Sequence, residues 1–257
     1  MHLTWLDSNS WLIELAGKRI LLDPWLVGDL TFGKQTWLFR GWRQHDRTLP
    51  NSIDLILLSQ GLEDHAHPET LKQFDRAIPV LGSPGAAKVA QRLGFTQVTT
   101  LKHGEEFRDQ QMAIAALPGS PIGPTTQENA YWLKALDTGA TLYYEPHGYH
   151  HSSLKTLAPI DVVITPLIDL ALPVLGPIIK GRQSALDLAQ MVNPQVMIPT
   201  AAGGDIEFDG VLLKLLSAVG TANEFRAKLA QRRLMTRVIE PQPGERTEIL
   251  IQPAAIV

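Results

Sequence analysis

The 257-residue sequence contains no cysteine. That absence excludes a disulfide framework, a cysteine-held zinc ribbon, an iron–sulfur cluster and a thiol nucleophile. Any bound metal must therefore be held by His, Asp or Glu. Excess basic charge is absent too: 23 Lys and Arg stand against 26 Asp and Glu, a net charge of −3. This balance argues against nucleic acid as a partner. No apolar run approaches the roughly 18 residues of a membrane-spanning helix. Residues Met1 to Trp5 lack the basic and apolar regions of a signal peptide. A cytoplasmic protein without a transmembrane segment is expected. Low-complexity linkers and short-period repeats are missing, so residues 1–257 are expected to form one domain.

What is present is a chain that is 44% hydrophobic and 19% charged, enough for a sizeable core. It opens with β-rich runs at 3–6, 11–15 and 19–22, joined by turn residues Asp7 to Ser10 and Ala16 to Lys18, which reads as an antiparallel meander. Residues 25–50 lose periodicity but carry Trp25, Phe32, Trp37, Phe39 and Trp42, a long aromatic loop of a kind that is often functional. Strand and helix then alternate: strand 53–58, a helix opened by Pro68, strand 78–81, helix 84–93 ended by Gly94, and strand 97–101. A second meander runs through 112–117, 130–135 and 141–144. Alternation returns with helices near 153–157, 183–191, 210–219 and 221–233 and strands at 162–164, 195–198, 237–239 and 248–251. The order reads as two pseudo-duplicated halves, about 1–115 and 116–257. Two sheets face to face with helices outside accommodate it. The fold class is α/β (α+β in layer terms).

Two short patterns carry no weight. Gly28 to Lys34 imitates a phosphate loop, but Gln35 lacks the hydroxyl such a loop needs and no strand–helix context surrounds it. Ser152 and Lys155 match a Ser-x-x-Lys spacing too short to mean anything.

Histidine is the informative residue: of 8, six fall between His65 and His151. Strand 53–58 runs into Glu63, Asp64, His65 and His67, and strand 141–144 runs into Glu145, His147, His150 and His151. Loops at strand ends that carry imidazoles and carboxylates suit zinc, iron or manganese. Solvated surface histidines are the alternative.

The chain resembles the metallo-β-lactamase superfamily and, within it, the ascorbate-lactonase-like (UlaG-like) hydrolase branch. The resemblance covers almost the whole chain. It rests on the opening Thr4-Trp5-Leu6 and Trp11 to Glu14, and on Leu22-Asp23-Pro24-Trp25, similar to that branch's strand pair and "DPW" turn. Leu57 to His65 lies where the family has a T/S-H-x-H-x-D-H signature. Pro118-Gly119-Ser120 lies where it has P-G-H, Tyr143 to His147 where it has "yyaGD", and Pro199-Thr200-Ala201 where it has P-x-H. Pro243-Gly244-Glu245 resembles its C-terminal "PGE". The resemblance implies a four-layer αββα sandwich of the metallo-β-lactamase type and a metal-activated hydrolysis.

Of the family's seven ligand positions, only Asp64 and His65 keep their residue type. The others fall on Gln60, Leu62, Ser120, His147 and Ala201. One site thus loses its standard ligands. Asp64, His65 and His147 remain as a set for one divalent zinc, manganese or iron, with His67, Glu63 or Glu145 able to complete it. Asp64, Glu63 and Glu145 are the candidate catalytic carboxylates. Gln60, Ser120 and Asp23 are expected at the cleft, Asp23 either orienting a ligand histidine or starting the turn at Pro24. The aromatic loop 25–42 and the apolar run 170–179 could cover the cleft, bind a lipophilic ligand or join subunits into a homo-oligomer. Asp205, Glu207 and Asp209 read as a solvated acidic loop. Two readings follow: a mononuclear hydrolase of an ester, lactone or phosphoester with an unknown small-molecule substrate, or a pseudoenzyme with no metal that binds a ligand or acts as a scaffold.

Overall fold

The computed structural model describes residues 1–122, 126–173 and 176–252. Alternation along the strands decides which side chains meet. In Lys18–Leu22 and Leu55–Leu58, Ile20, Leu22, Leu55 and Leu57 face one way, and Leu21, Ile56 and Leu58 the other. These strands belong to a seven-stranded sheet ordered Arg246–Glu248, His2–Trp5, Trp11–Leu15, Lys18–Leu22, Leu55–Leu58, Val80–Gly82, Val98–Thr100. The first four pair antiparallel and the rest parallel.

A second seven-stranded sheet repeats the plan: Arg237–Val238, Val196–Ile198, Val162–Ile164, Thr141–Tyr144, Gln127–Ala135, Met112–Pro121, Glu106–Arg108. Its last four pair antiparallel and its others parallel. The chain passes between sheets after Thr100, so Met112–Pro121 runs unbroken through residue 115.

Three apolar layers make the sandwich. The central one joins Ile13, Leu22 and Leu57 of the first sheet to Ile114, Leu133, Tyr144 and Ile198 of the second. An outer layer packs Leu21, Ile56 and Leu58 against Leu71, Ala86 and Ala90 of helices Pro68–Leu71 and Pro84–Arg92. The other packs Tyr143, Val163 and Met197 against Leu186, Ala189, Phe225 and Leu229 of helices Arg182–Val192 and Ala222–Gln231. The αββα architecture read from the sequence is the observed one. Among the described residues no helix is long and apolar enough to cross a membrane.

Local departures have local causes. The expected helix at 210–219 is a short 3₁₀ turn, Val211–Lys214, followed by strand Ser217–Val219. That strand pairs with Asp169–Leu172, which also pairs with Gly176–Ile179; pairing across the chain overrides local helix preference. The apolar run 170–179 is thus largely a hairpin, with residues 174 and 175 outside the described part. The aromatic loop contains strand Arg40–Arg43, paired with Ile206–Asp209. Gly41 is required there, since a Cβ would stand 2.7 Å from the Trp25 ring. Asp205, Glu207 and Asp209 are exposed, as expected, and Asp205 also pairs with Arg47.

Asp7 ties this flap to the sheet. Its fully buried carboxylate accepts from Arg43 Nε and Arg47 Nε at 2.8 Å each, and from the Asp205 amide at 2.9 Å. Burial raises the Asp7 pKa, but the two guanidinium bonds outweigh it and hold the group below its usual range. A depressed folded-state pKa gives stability that is present above the unfolded value and is lost as pH falls through the folded one. Asp7→Asn is expected to cost about 3–5 kcal/mol near neutrality, because it strands the buried Arg43. Urea unfolding should show this deficit shrinking below about pH 4. An unchanged midpoint near neutrality, or a deficit that persists in acid, refutes the assignment.

Candidate functional site

Three strand ends converge. Leu22 pairs with Leu57, so the residues that follow these strands, Asp23 and Ser59, become neighbours. Tyr144 ends its strand in the opposite sheet and reaches across the central layer.

Asp23 is the hub. Its Oδ1 accepts the Ser59 amide at 2.7 Å. Its Oδ2 accepts Ser59 Oγ at 2.5 Å, Tyr144 Oη at 2.8 Å and His65 Nδ1 at 2.7 Å. Asp23 adopts φ 44°, a left-handed conformation that Asp tolerates better than most residues. It does not line a cleft as expected: it is wholly buried, and it holds the His65 ring by Nδ1.

With Nδ1 held by Asp23, His65 turns Nε2 toward Asp64 Oδ2, 3.2 Å away. Asn9 Nδ2 lies 3.4 Å from the same nitrogen. A lone pair and a carboxylate oxygen at that distance need a proton or a cation between them. Burial lowers the His65 pKa, but Asp64 and Asp23 outweigh it and push it well above the usual histidine range. Asp64 is likewise held low: burial raises it, and His65 and then His147 more than compensate.

His147 comes from the turn after the opposite strand. Its ring centroid stands 5.3 Å from that of His65, and Asp64, His65 and His147 each present a ligand atom within 4.8 Å of the others. Glu145 builds that turn. Its Oε2 accepts the backbone amides of His147 at 3.2 Å, Tyr149 at 2.8 Å and Gly148. Gly148 has φ 82°, and any Cβ there would collide with the Lys180 carbonyl. Glu145, expected as a catalytic carboxylate, is therefore a turn anchor. Its pKa is pushed well above the usual range by burial, by the charge of Glu128 and by a side-chain hydrogen bond with Glu128.

Glu128 carries no motif and went unmarked in the sequence. It is buried at the start of strand Gln127–Ala135, with Oε1 2.6 Å from His147 Nδ1. Glu128, Glu145 and His147 form a second group of ligand atoms within 4.8 Å that shares His147 with the first. The one signal for Glu128 was the polar run Gln127-Glu128-Asn129 opening a mostly apolar strand.

The remaining candidates go elsewhere. His67 is not an additional ligand: it caps helix Pro68–Leu71 through Nδ1, and its Nε2 lies 3.3 Å from the Asp29 carbonyl. Its imidazole is the N-cap because Pro68 starts the helix directly after it. Glu63 is exposed and belongs to neither ligand group. Gln60 and Ser120 are buried, at 2% and 6% exposure, so they do not form an open wall. His150 bonds Tyr143 and His151 bonds Ser153.

The donor set fits a divalent cation. Among the described residues, Asp64 Oδ1 is a buried side-chain oxygen without a partner, on a member of the first ligand group. A buried acceptor without a donor is costly, and one beside two histidines is what a cation would relieve.

Comparison with known proteins agrees with this frame. The family model described as "Beta-lactamase superfamily domain" matches residues 2–201. A Methanopyrus kandleri protein named as a UPF0173 metal-dependent hydrolase is 22% identical over 255 residues, covering 96% of this chain and 100% of that protein. The isothiocyanate hydrolase from Delia radicum gut bacteria superposes with a TM-score of 0.70 at 16% identity, covering 97% of this chain and 99% of that one. The diiron β-hydroxylase CmlA of Streptomyces venezuelae superposes with a TM-score of 0.66 at 16% identity, covering 96% of this chain and 54% of that one. A hydrolase and a hydroxylase on one architecture leave the reaction to be argued from the site.

Proposed function

The chain belongs to the beta-lactamase superfamily, and from that premise we propose that it is a metal-dependent hydrolase with one cation held by Asp64, His65 and His147. The observation that carries this reading is the convergence of Asp64, His65 and His147, from loops of the two sheets, with a ligand atom of each within 4.8 Å of the others while Asp23 holds His65 Nδ1. The related archaeal protein's name, a metal-dependent hydrolase, supports it. A divalent cation would supply Lewis-acid polarisation of a carbonyl or phosphoryl oxygen and a more acidic water.

The chain's own residues do the rest. Asp23 keeps the His65 proton on Nδ1, so that Nε2 stays a donor of electrons. Tyr144 and Ser59 donate to Asp23 and keep its charge in place inside the core. Asp64 Oδ1, buried and without a partner among the described residues, is the acceptor available for a water proton. Glu63 is exposed and Glu145 is committed to its turn, so the role of base falls to Asp64. The substrate class is an ester, lactone or phosphoester.

Metal analysis of untagged protein purified without chelator is expected to give about one equivalent of zinc, manganese or iron. That protein should hydrolyse at least one of an aryl ester, an N-acyl homoserine lactone and an aryl phosphodiester, and should stop with chelator. One observation favours the pseudoenzyme reading: Thr200 is spent on structure, bonding Trp11 Nε1, the Ser8 carbonyl and Asn9 Oδ1, next to Ala201 where the family has its last histidine. Protein that stays without metal after adding each of the three ions would establish that reading.

A further inference from the structure

Both ligand histidines are held by the same device from opposite sheets. Asp23 accepts His65 Nδ1 at 2.7 Å and is itself fixed by the Ser59 amide at 2.7 Å. Glu128 accepts His147 Nδ1 at 2.6 Å and is itself fixed by the Ser120 amide at 3.3 Å. Each carboxylate is buried, at 0% and 1% exposure, and each histidine stands on a loop.

The Glu128 arrangement is built into the sheet. Pairing between Met112–Pro121 and Gln127–Ala135 shifts register between Gln127 and Asn129, with Gln127 opposite Pro121 and Asn129 opposite Pro118. The extra residue of this bulge lies in Gly119-Ser120. It brings the Ser120 amide to the Glu128 carboxylate. Gly119 permits the bulge, since a Cβ there would stand 3.0 Å from the Ala130 nitrogen. Glu128 stands in a strand paired with Met112–Pro121, whereas His147 stands on a loop.

Resting on the metal centre proposed above, we infer that Glu128 is a positioning residue that fixes His147 as the Nδ1–H tautomer and leaves Nε2 free to bind the cation. A histidine in place of the family's shorter aspartate needs this second support. An imidazole has two nitrogens, and only the partner of one decides which of them keeps a lone pair. Glu128 acts on the metal through His147 and is not itself a ligand.

Calorimetric titration with zinc alone, on wild type and Glu128→Gln, is the test, paired with nitrogen NMR of histidine-labelled apoprotein in alkaline buffer. Wild type is expected to bind one equivalent and to show His147 protonated at Nδ1. Glu128→Gln should still bind one equivalent, with Kd raised about 10–100-fold, and should move His147 toward the Nε2–H form. An unchanged Kd overturns the inference. So does a raised Kd with an unchanged tautomer, which would make Glu128 merely structural. Loss of a second equivalent of zinc in the variant also overturns it, by making Glu128 a ligand. Wild type that binds no zinc is a different result: it removes the metal centre itself and the inference with it.

Discussion

Zinc or manganese added to His65→Ala produces no rise in melting temperature, while wild type gains about 5–10 °C at a metal concentration near 100 times Kd. The gain follows from mass action: a ligand at that excess stabilises the folded state by about 2.7 kcal/mol, and each kcal/mol moves the midpoint by about 2–4 °C in a chain of this size. The loss follows from geometry. His65, the ligand proposed from the first sheet, has no freedom to move: it is buried completely and held between Asp23 and Asp64. No neighbouring histidine can replace it, because His67 is committed to its helix cap and the Asp29 carbonyl. Removing a buried ring also lowers the stability of the apoprotein, so the metal-induced shift is read against each variant's own metal-free melt. His65→Gln fills more of the space and is expected to behave like alanine. His151→Ala, at an exposed ring bonded to Ser153, should keep the full shift. A shift retained by His65→Ala shows that the cation is held elsewhere.

Asp23→Asn and Asp23→Ala should fail in different ways. Alanine removes the acceptor of the Ser59 amide, the Ser59 hydroxyl, the Tyr144 hydroxyl and His65 Nδ1. Each buried donor left without an acceptor costs about 1–3 kcal/mol. The hydroxyls can rotate to other partners, so the total is expected near 3–5 kcal/mol. Asparagine keeps the shape, the positive φ and an oxygen for the Ser59 amide. Its NH₂ group, however, now faces the ring nitrogen. His65 must accept there and move its proton to Nε2, the atom that would hold the cation. Asp23→Asn is therefore expected to lose about 10–100-fold in metal affinity with a much smaller loss of stability. Chemical unfolding of the apoprotein measures one effect and metal titration the other. Equal metal affinity in wild type and Asp23→Asn removes Asp23 from the site's chemistry.

The strand ends that carry the chemistry were legible because short, continuous buried-type runs stop where polar residues begin, as at Leu58-Ser59 and Tyr144-Glu145. The Asp64-His65 pair was legible because its residues are adjacent in the chain. The 210–219 segment was misread as a helix because its partner strand lies at Asp169–Leu172, far outside any local window. His67 looked like a ligand because it stands two residues from His65, and spacing along a loop does not reveal where a ring points.

The sequence by itself thus determined the layer order, the family and the two loops that meet, because alternation, turn chemistry and strand order are local signals that accumulate. Only the tertiary structure decided how those loops work. It made Glu145 an anchor and His67 a cap, and it brought Glu128 from 19 residues away to His147 and Asp23 from 42 residues away to His65. A carboxylate selects a histidine tautomer by touching one nitrogen, and that contact is made by two sheets closing on a common core, which no stretch of sequence records.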